Sequence, residues 1–123
     1  MTSMDPGFGT ANLIRNKAID KRHGDPLPRL LAQLIFRAGE GSWIDRAVSR
    51  PWASALFEGR RHVITLGLRG QDAVARRQQF IADIESAEWT LAGHFVADIS
   101  VDALRHDGDG YWVDLSALTI EDW

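Results

Sequence analysis

His94, Asp98 and Asp102 fall on the polar side of an alternating stretch, residues 91–102. Imidazole beside carboxylate is the raw material of general acid–base catalysis or of a metal site. The spacing argues against a site built by this stretch alone. Side chains four residues apart on a strand stand about 13 Å apart, too far to share one ion or one proton. A second strand would have to contribute, and His62, in another alternating run, is the residue placed to do so. His62, His94 and Asp98 are therefore the candidate catalytic or ligand-binding set, with a histidine as general base. A hydrated polar strand face explains the same residues and ranks ahead of chemistry on spacing.

His106-Asp107-Gly108-Asp109-Gly110 has the Asp and Gly density of a calcium loop. An EF-hand loop needs a Glu at its twelfth position and helices on both sides. Here the twelfth position from Asp107 is Leu118 and the flanks alternate like strands, so a hairpin turn is expected. Gly7-Phe8-Gly9 has no preceding strand and is no dinucleotide fingerprint. The chain has no nucleophile elbow, phosphate loop, zinc-protease pair or paired helical carboxylates. It contains no cysteine, which removes disulfides, thiolate nucleophiles and Cys-ligated metals. No cofactor and no metal is expected.

Two basic clusters are present: Arg15, Lys17, Lys21 and Arg22 near the N-terminus, and Arg60-Arg61. They belong to a wider asymmetry. Residues 1–61 hold ten basic and six acidic side chains, a charge of +4, whereas residues 62–123 hold four and eleven, a charge of −7. Nucleic-acid binding through the arm is the third-ranked function, because the acidic half opposes close approach of a polyanion. Attraction between the halves, within one chain or between copies, ranks ahead.

Content of 45% apolar and 25% charged side chains over 123 residues describes one ordinary globular domain, neither disordered nor membrane-embedded. No apolar run nears the roughly 18 residues of a membrane span. The first residues lack a basic-then-apolar leader, and the expected compartment is cytoplasmic.

Residues 1–24 read as a flexible or partner-held arm and residues 25–123 as a single α+β domain. Asp25-Pro26 opens a helix over 25–39, with Leu27, Leu30, Leu31, Leu34 and Ile35 on one stripe and Gly39 at its end. Ser42-Trp43-Ile44-Asp45 resembles a capping box and predicts a short helix over 42–49, closed by Pro51. Residues 51–120 then read as ββαββ. Strands are expected over 52–57 and 62–68 with a turn at Gly59, and a helix over 72–87 facing inward with Val74, Arg77, Phe80, Ile81 and Ile84. The last two strands fall over 91–102 and 111–120.

The fold expected is thus a four-stranded, mainly antiparallel sheet with one central helix and an N-terminal helical arm. Its last strand is apolar on both sides: Tyr111, Val113 and Leu115 on one, Trp112, Leu118 and Ile120 on the other. One helix covers one side, so something else must cover Val63, Thr65, Val96, Trp112, Leu118 and Ile120. The 25–39 helix or a second copy of the chain would serve. Of five tryptophans, Trp43, Trp52 and Trp112 read as core, and Trp123 as exposed or docked on a partner. The first-ranked function is protein–protein association, as a homo-oligomer, through Trp112, Leu118, Ile120, Trp123 and the arm. The second is a small enzyme or ligand-binding domain using His62, His94 and Asp98 between sheet and N-terminal helix.

Overall fold

The structure, a computed structural model, describes residues 24–122. The basic arm (Arg15, Lys17, Lys21, Arg22) and Trp123 lie outside the described residues. The elements run α1 (Leu27–Ala38), β1 (Ser42–Ala53), β2 (Glu58–Arg69), α2 (Ala73–Ile84), β3 (His94–Asp107) and β4 (Gly110–Glu121). The strands form one antiparallel sheet in the order β1-β2-β4-β3. The fold is therefore α+β, with the ββαββ body that the sequence patterning predicts and a helix ahead of it.

α1 starts where Asp25 accepts a bond from the Leu27 N–H at 3.0 Å, relieving one of the unpaired donors of a first helical turn. It ends where the Gly39 N–H donates to the Ile35 carbonyl, 2.9 Å. Its buried stripe is Leu30, Leu34 and Ala38. α2 buries Ala73, Phe80 and Ile84, so its inner phase runs through Ala73 and leaves Val74 exposed, against the expected assignment. Both stripes join one core with Ile64, Leu66 and Leu68 of β2, Ile99 of β3, and Val113, Leu115 and Ala117 of β4. The two helices thus lie on the same side of the sheet. Arg76 fastens them: its guanidinium donates to the carbonyls of Ala38, Glu40 and Arg69 and pairs with Asp72 at 3.0 Å.

Several local expectations are corrected. Residues 42–49 are not a short helix but the first part of β1, paired from Ser42↔Leu68 to Ala53↔Glu58. A β-bulge between Ile44 and Arg46 inserts Asp45. Ile44 and Ala47 therefore share a side although they stand three apart, and that spacing mimics a helix. Pro51 sits inside the strand, where an edge position leaves no ladder bond to be lost. The first hairpin turns at residues 54–57, closed by the Ser54 N–H on the Phe57 carbonyl, 2.8 Å; Gly59 belongs to β2. β3 begins and ends later than expected, and two bulges, at Val96/Asp98 and Val101/Ala103, reset its phase. Val96 consequently packs toward the helices, while Phe95 pairs with Ile120 on the opposite side and is exposed. The final turn is as expected: Asp107 pairs with Gly110 across two residues, with Gly108 at φ 61°. Among the described residues, no helix is long and apolar enough to cross a membrane.

Candidate functional site

The sheet separates the expected chemical set. His62 and His94 lie on the helix-covered side, near enough for His94 to disfavour a charge on His62. Asp98 pairs with Leu118 on the side away from the helices. His62 is 0% exposed, and both ring nitrogens are engaged: Nδ1 with the Ser49 hydroxyl at 2.5 Å, Nε2 with the Thr119 hydroxyl at 2.9 Å. This ladder crosses β1, β2 and β4. Burial pushes the His62 pKa down to about 4, Arg60 and His94 push the same way, and Asp25 opposes them. A neutral imidazole with both nitrogens occupied and no solvent access ties strands together; it has no lone pair to offer a substrate. His94 is also buried, with Nδ1 3.1 Å from the Ala92 carbonyl.

Asp98 borders a shallow cleft of about 200 Å3 between the end of α2 and β3, lined by Glu85, Trp89, Val96 and Ile99 among others. Neither His62 nor His94 lines it. Among the described residues, no three His, Asp or Glu side chains converge as a cation site.

The opposite side of the sheet is organised more fully. Strand alternation and the pairing register lay it out as five cross-strand rows, read from β1 through β2 and β4 to β3. The first is Trp43–Gly67–Trp112–Arg105 and the second Arg46–Thr65–Asp114–Ala103. The third is Val48–Val63–Ser116–Ser100. The fourth is Arg50–Arg61–Leu118–Asp98, and the fifth Trp52–Gly59–Ile120–Phe95. No described helix lies over them, since both helices pack on the other side.

One end of this face is closely packed. Trp43 and Trp112 meet edge to face over Gly67, ring centroids 5.2 Å apart, and Arg69 lies over Trp43 at 4.9 Å. A Cβ at Gly67 would stand 2.5 Å from the Trp43 ring and 2.8 Å from Trp112, so the glycine is what lets the rings close. Arg105 grips Asp114 through Nε (3.2 Å) and Nη2 (3.1 Å), and Thr65 donates to the same carboxylate at 2.8 Å. The Arg105 bond holds the Asp114 carboxyl below its ordinary pKa. Ser116 donates to Asp102.

The exposed apolar side chains lie further along: Val48 (44% exposed) and Val63 (36%) in the central row, and Phe95 (42%) in the last. Leu118 and Ile120, on the same face, are buried within the single chain, and Trp112 is half-buried. The residues that offer fresh apolar area are therefore Val48, Val63 and Phe95 rather than the C-terminal pair. Val48 escapes the sequence reading because a predicted helix assigns it no strand face; Phe95 takes the place on this face expected for Val96, because the β3 bulges reset the strand's phase. The charge is divided. Arg46, Arg50, Arg61 and Arg69 stand on the β1–β2 half, and Asp98, Asp102 and Asp114 with Arg105 on the β4–β3 half. Set against protein-family models, curated proteins and solved structures, the chain matches none.

Proposed function

We propose that this protein acts through association of folded chains, and that the surface used is the sheet face away from the helices, with a second copy as its occupant. The observation that supports this reading is the placement of both described helices on one side, which leaves Val48, Val63 and Phe95 exposed on the other. Eleven residues of strand at about 3.4 Å each, across four strands about 4.8 Å apart, make a face of roughly 650 Å2. Two such faces bury on the order of 1,300 Å2, within the class of specific protein interfaces. The mixed charge of the face favours a protein surface over a polyanion, because Asp98 and Asp102 would repel phosphates drawn to the arginines. The His62 ladder, sealed and fully bonded, supports a structural rather than catalytic use of the histidines.

Sedimentation velocity on the full chain tests this. A dimer is expected at high micromolar concentration, and Val63→Lys, which sets a charge in the centre of the face, is expected to weaken it at least about tenfold while the circular dichroism spectrum stays unchanged. A strict monomer, or a dimer indifferent to Val63→Lys and Val48→Lys alike, overturns the proposal.

A further inference from the structure

We infer that the two copies are related by a two-fold axis lying in the interface parallel to the strands, between β2 and β4, so that Arg50 of each chain faces Asp98 of the partner subunit. This rests on the self-association proposed above and specifies its geometry. Closed symmetric pairs use one patch twice, and a sheet face offers few ways to do so.

The edges offer a poor alternative. Joining sheets edge to edge would use β1 or β3. β1 carries a bulge at Asp45 and Pro51, and β3 carries two bulges, the devices that blunt an edge against pairing. Face-to-face packing remains, with the axis either along the strands or across them.

The charges choose between these. An axis across the strands reverses the order of the rows. Arg46 then meets the partner's Arg50, and Arg50 meets the partner's Arg46: two like-charge contacts in one interface. An axis along the strands keeps each row opposite itself and exchanges the β1–β2 half with the β4–β3 half. Row four then sets Arg50 against the partner's Asp98 and Arg61 against the partner's Leu118. Row five sets Trp52 against the partner's Phe95, row three Val63 against the partner's Ser116, and row one Trp43 against the partner's Arg105. Each contact occurs twice.

Arg46, Arg50, Arg61 and Asp98 enter no ion pair among the described residues, whereas Arg69, Arg76 and Arg105 each do. Among the described residues these four charges have water rather than an ion-pair partner, and a symmetric partner would bring the opposite sign to Arg50 and Asp98. Facing sheets stand about 10 Å apart, a gap that a long arginine and a short aspartate together bridge.

Charge exchange between chains tests the axis. Arg50→Asp alone places carboxylates opposite one another at both contacts, and Asp98→Arg alone places guanidiniums opposite one another. Both positions are exposed in the single chain, so the fold tolerates either change. Each variant is expected to dimerise at least about tenfold more weakly than the natural chain. An equimolar mixture is expected to recover the lost affinity as a heterodimer, seen by native mass spectrometry, because each contact again joins opposite charges. The crosswise axis demands the reverse sign: Arg50→Asp would relieve its clash with the partner's Arg46 and tighten the dimer. Tightening by Arg50→Asp, or a mixture that fails to recover while Val63→Lys still disrupts the natural dimer, overturns the axis and leaves the face standing. A natural chain that stays monomeric removes both.

Discussion

His62 carries the largest electrostatic consequence of any described side chain. Its ordinary pKa of 6.5 falls to about 4 because the imidazolium would lose water on burial. Between those two values the unfolded chain holds a proton that the folded chain refuses. Stability is therefore complete above pH 6.5, declines as the pH falls through the window, and levels off below about 4, a total of about 3 kcal/mol. Asp114 works lower on the scale. Held below its ordinary 3.8 chiefly by the Arg105 hydrogen bond, it contributes stability that goes only as the pH falls beneath that value. Denaturant titrations at steps through the His62 window are expected to show the decline in the natural chain and a shallower slope in His62→Gln, which has no proton to take up. Equal slopes would mean that His62 is protonated when folded. None of this is legible before the fold is known. The sequence places His62 at the head of a strand, but only the register sets Ser49 and Thr119 against its two nitrogens.

The strands show why some elements read clearly in the sequence and others do not. α1, α2, β2 and β4 keep one unbroken period each, and apart from Val74 of α2 their apolar residues fall where the period puts them. β1 and β3 contain bulges, and a single inserted residue converts a spacing of two into three, the arithmetic of a helix or of the wrong face. The bulges account for Val96 lying on the side opposite to the one expected, whereas the helix expected at 42–49 rests on Ser42 and Asp45 at capping-box spacing and on Pro51, all of which β1 accommodates. That helix also hides half of the candidate face, because Arg46, Val48 and Arg50 acquire a side only once β1 is known to be a strand. Gly67 supplies the test at this scale. Alanine normally suits a strand better than glycine, yet here the new methyl would press into Trp43 and Trp112. Gly67→Ala is expected to cost about 1–3 kcal/mol, and the loss should shrink in a Trp43→Ala background, where one ring no longer blocks the methyl. An equal loss in both backgrounds would place the strain elsewhere.

Across the whole molecule, the charge asymmetry along the chain becomes an asymmetry across a surface. The basic first half, residues 1–61, supplies β1 and only the first residues of β2, the acidic second half supplies the rest of β2 with β4 and β3, and the order β1-β2-β4-β3 sets β1 at one edge of the layer and β3 at the other. A strand order that placed β3 or β4 between β1 and β2 would have mixed the signs and erased the complementarity that the proposed two-fold partner would use. Because a partner would dock only on the assembled sheet, the proposed association would stabilise the folded chain by mass action. For a dimer that unfolds to two free chains, each tenfold rise in concentration adds about 0.7 kcal/mol per chain, or roughly 3 °C in melting temperature at this size. Melting curves over two decades of concentration are expected to climb at that rate for the natural chain and to stay level for Val63→Lys, converging as the natural chain is diluted below its dissociation constant. A natural chain whose melting point ignores concentration would show that the open face meets no second copy, whatever the charges on it suggest.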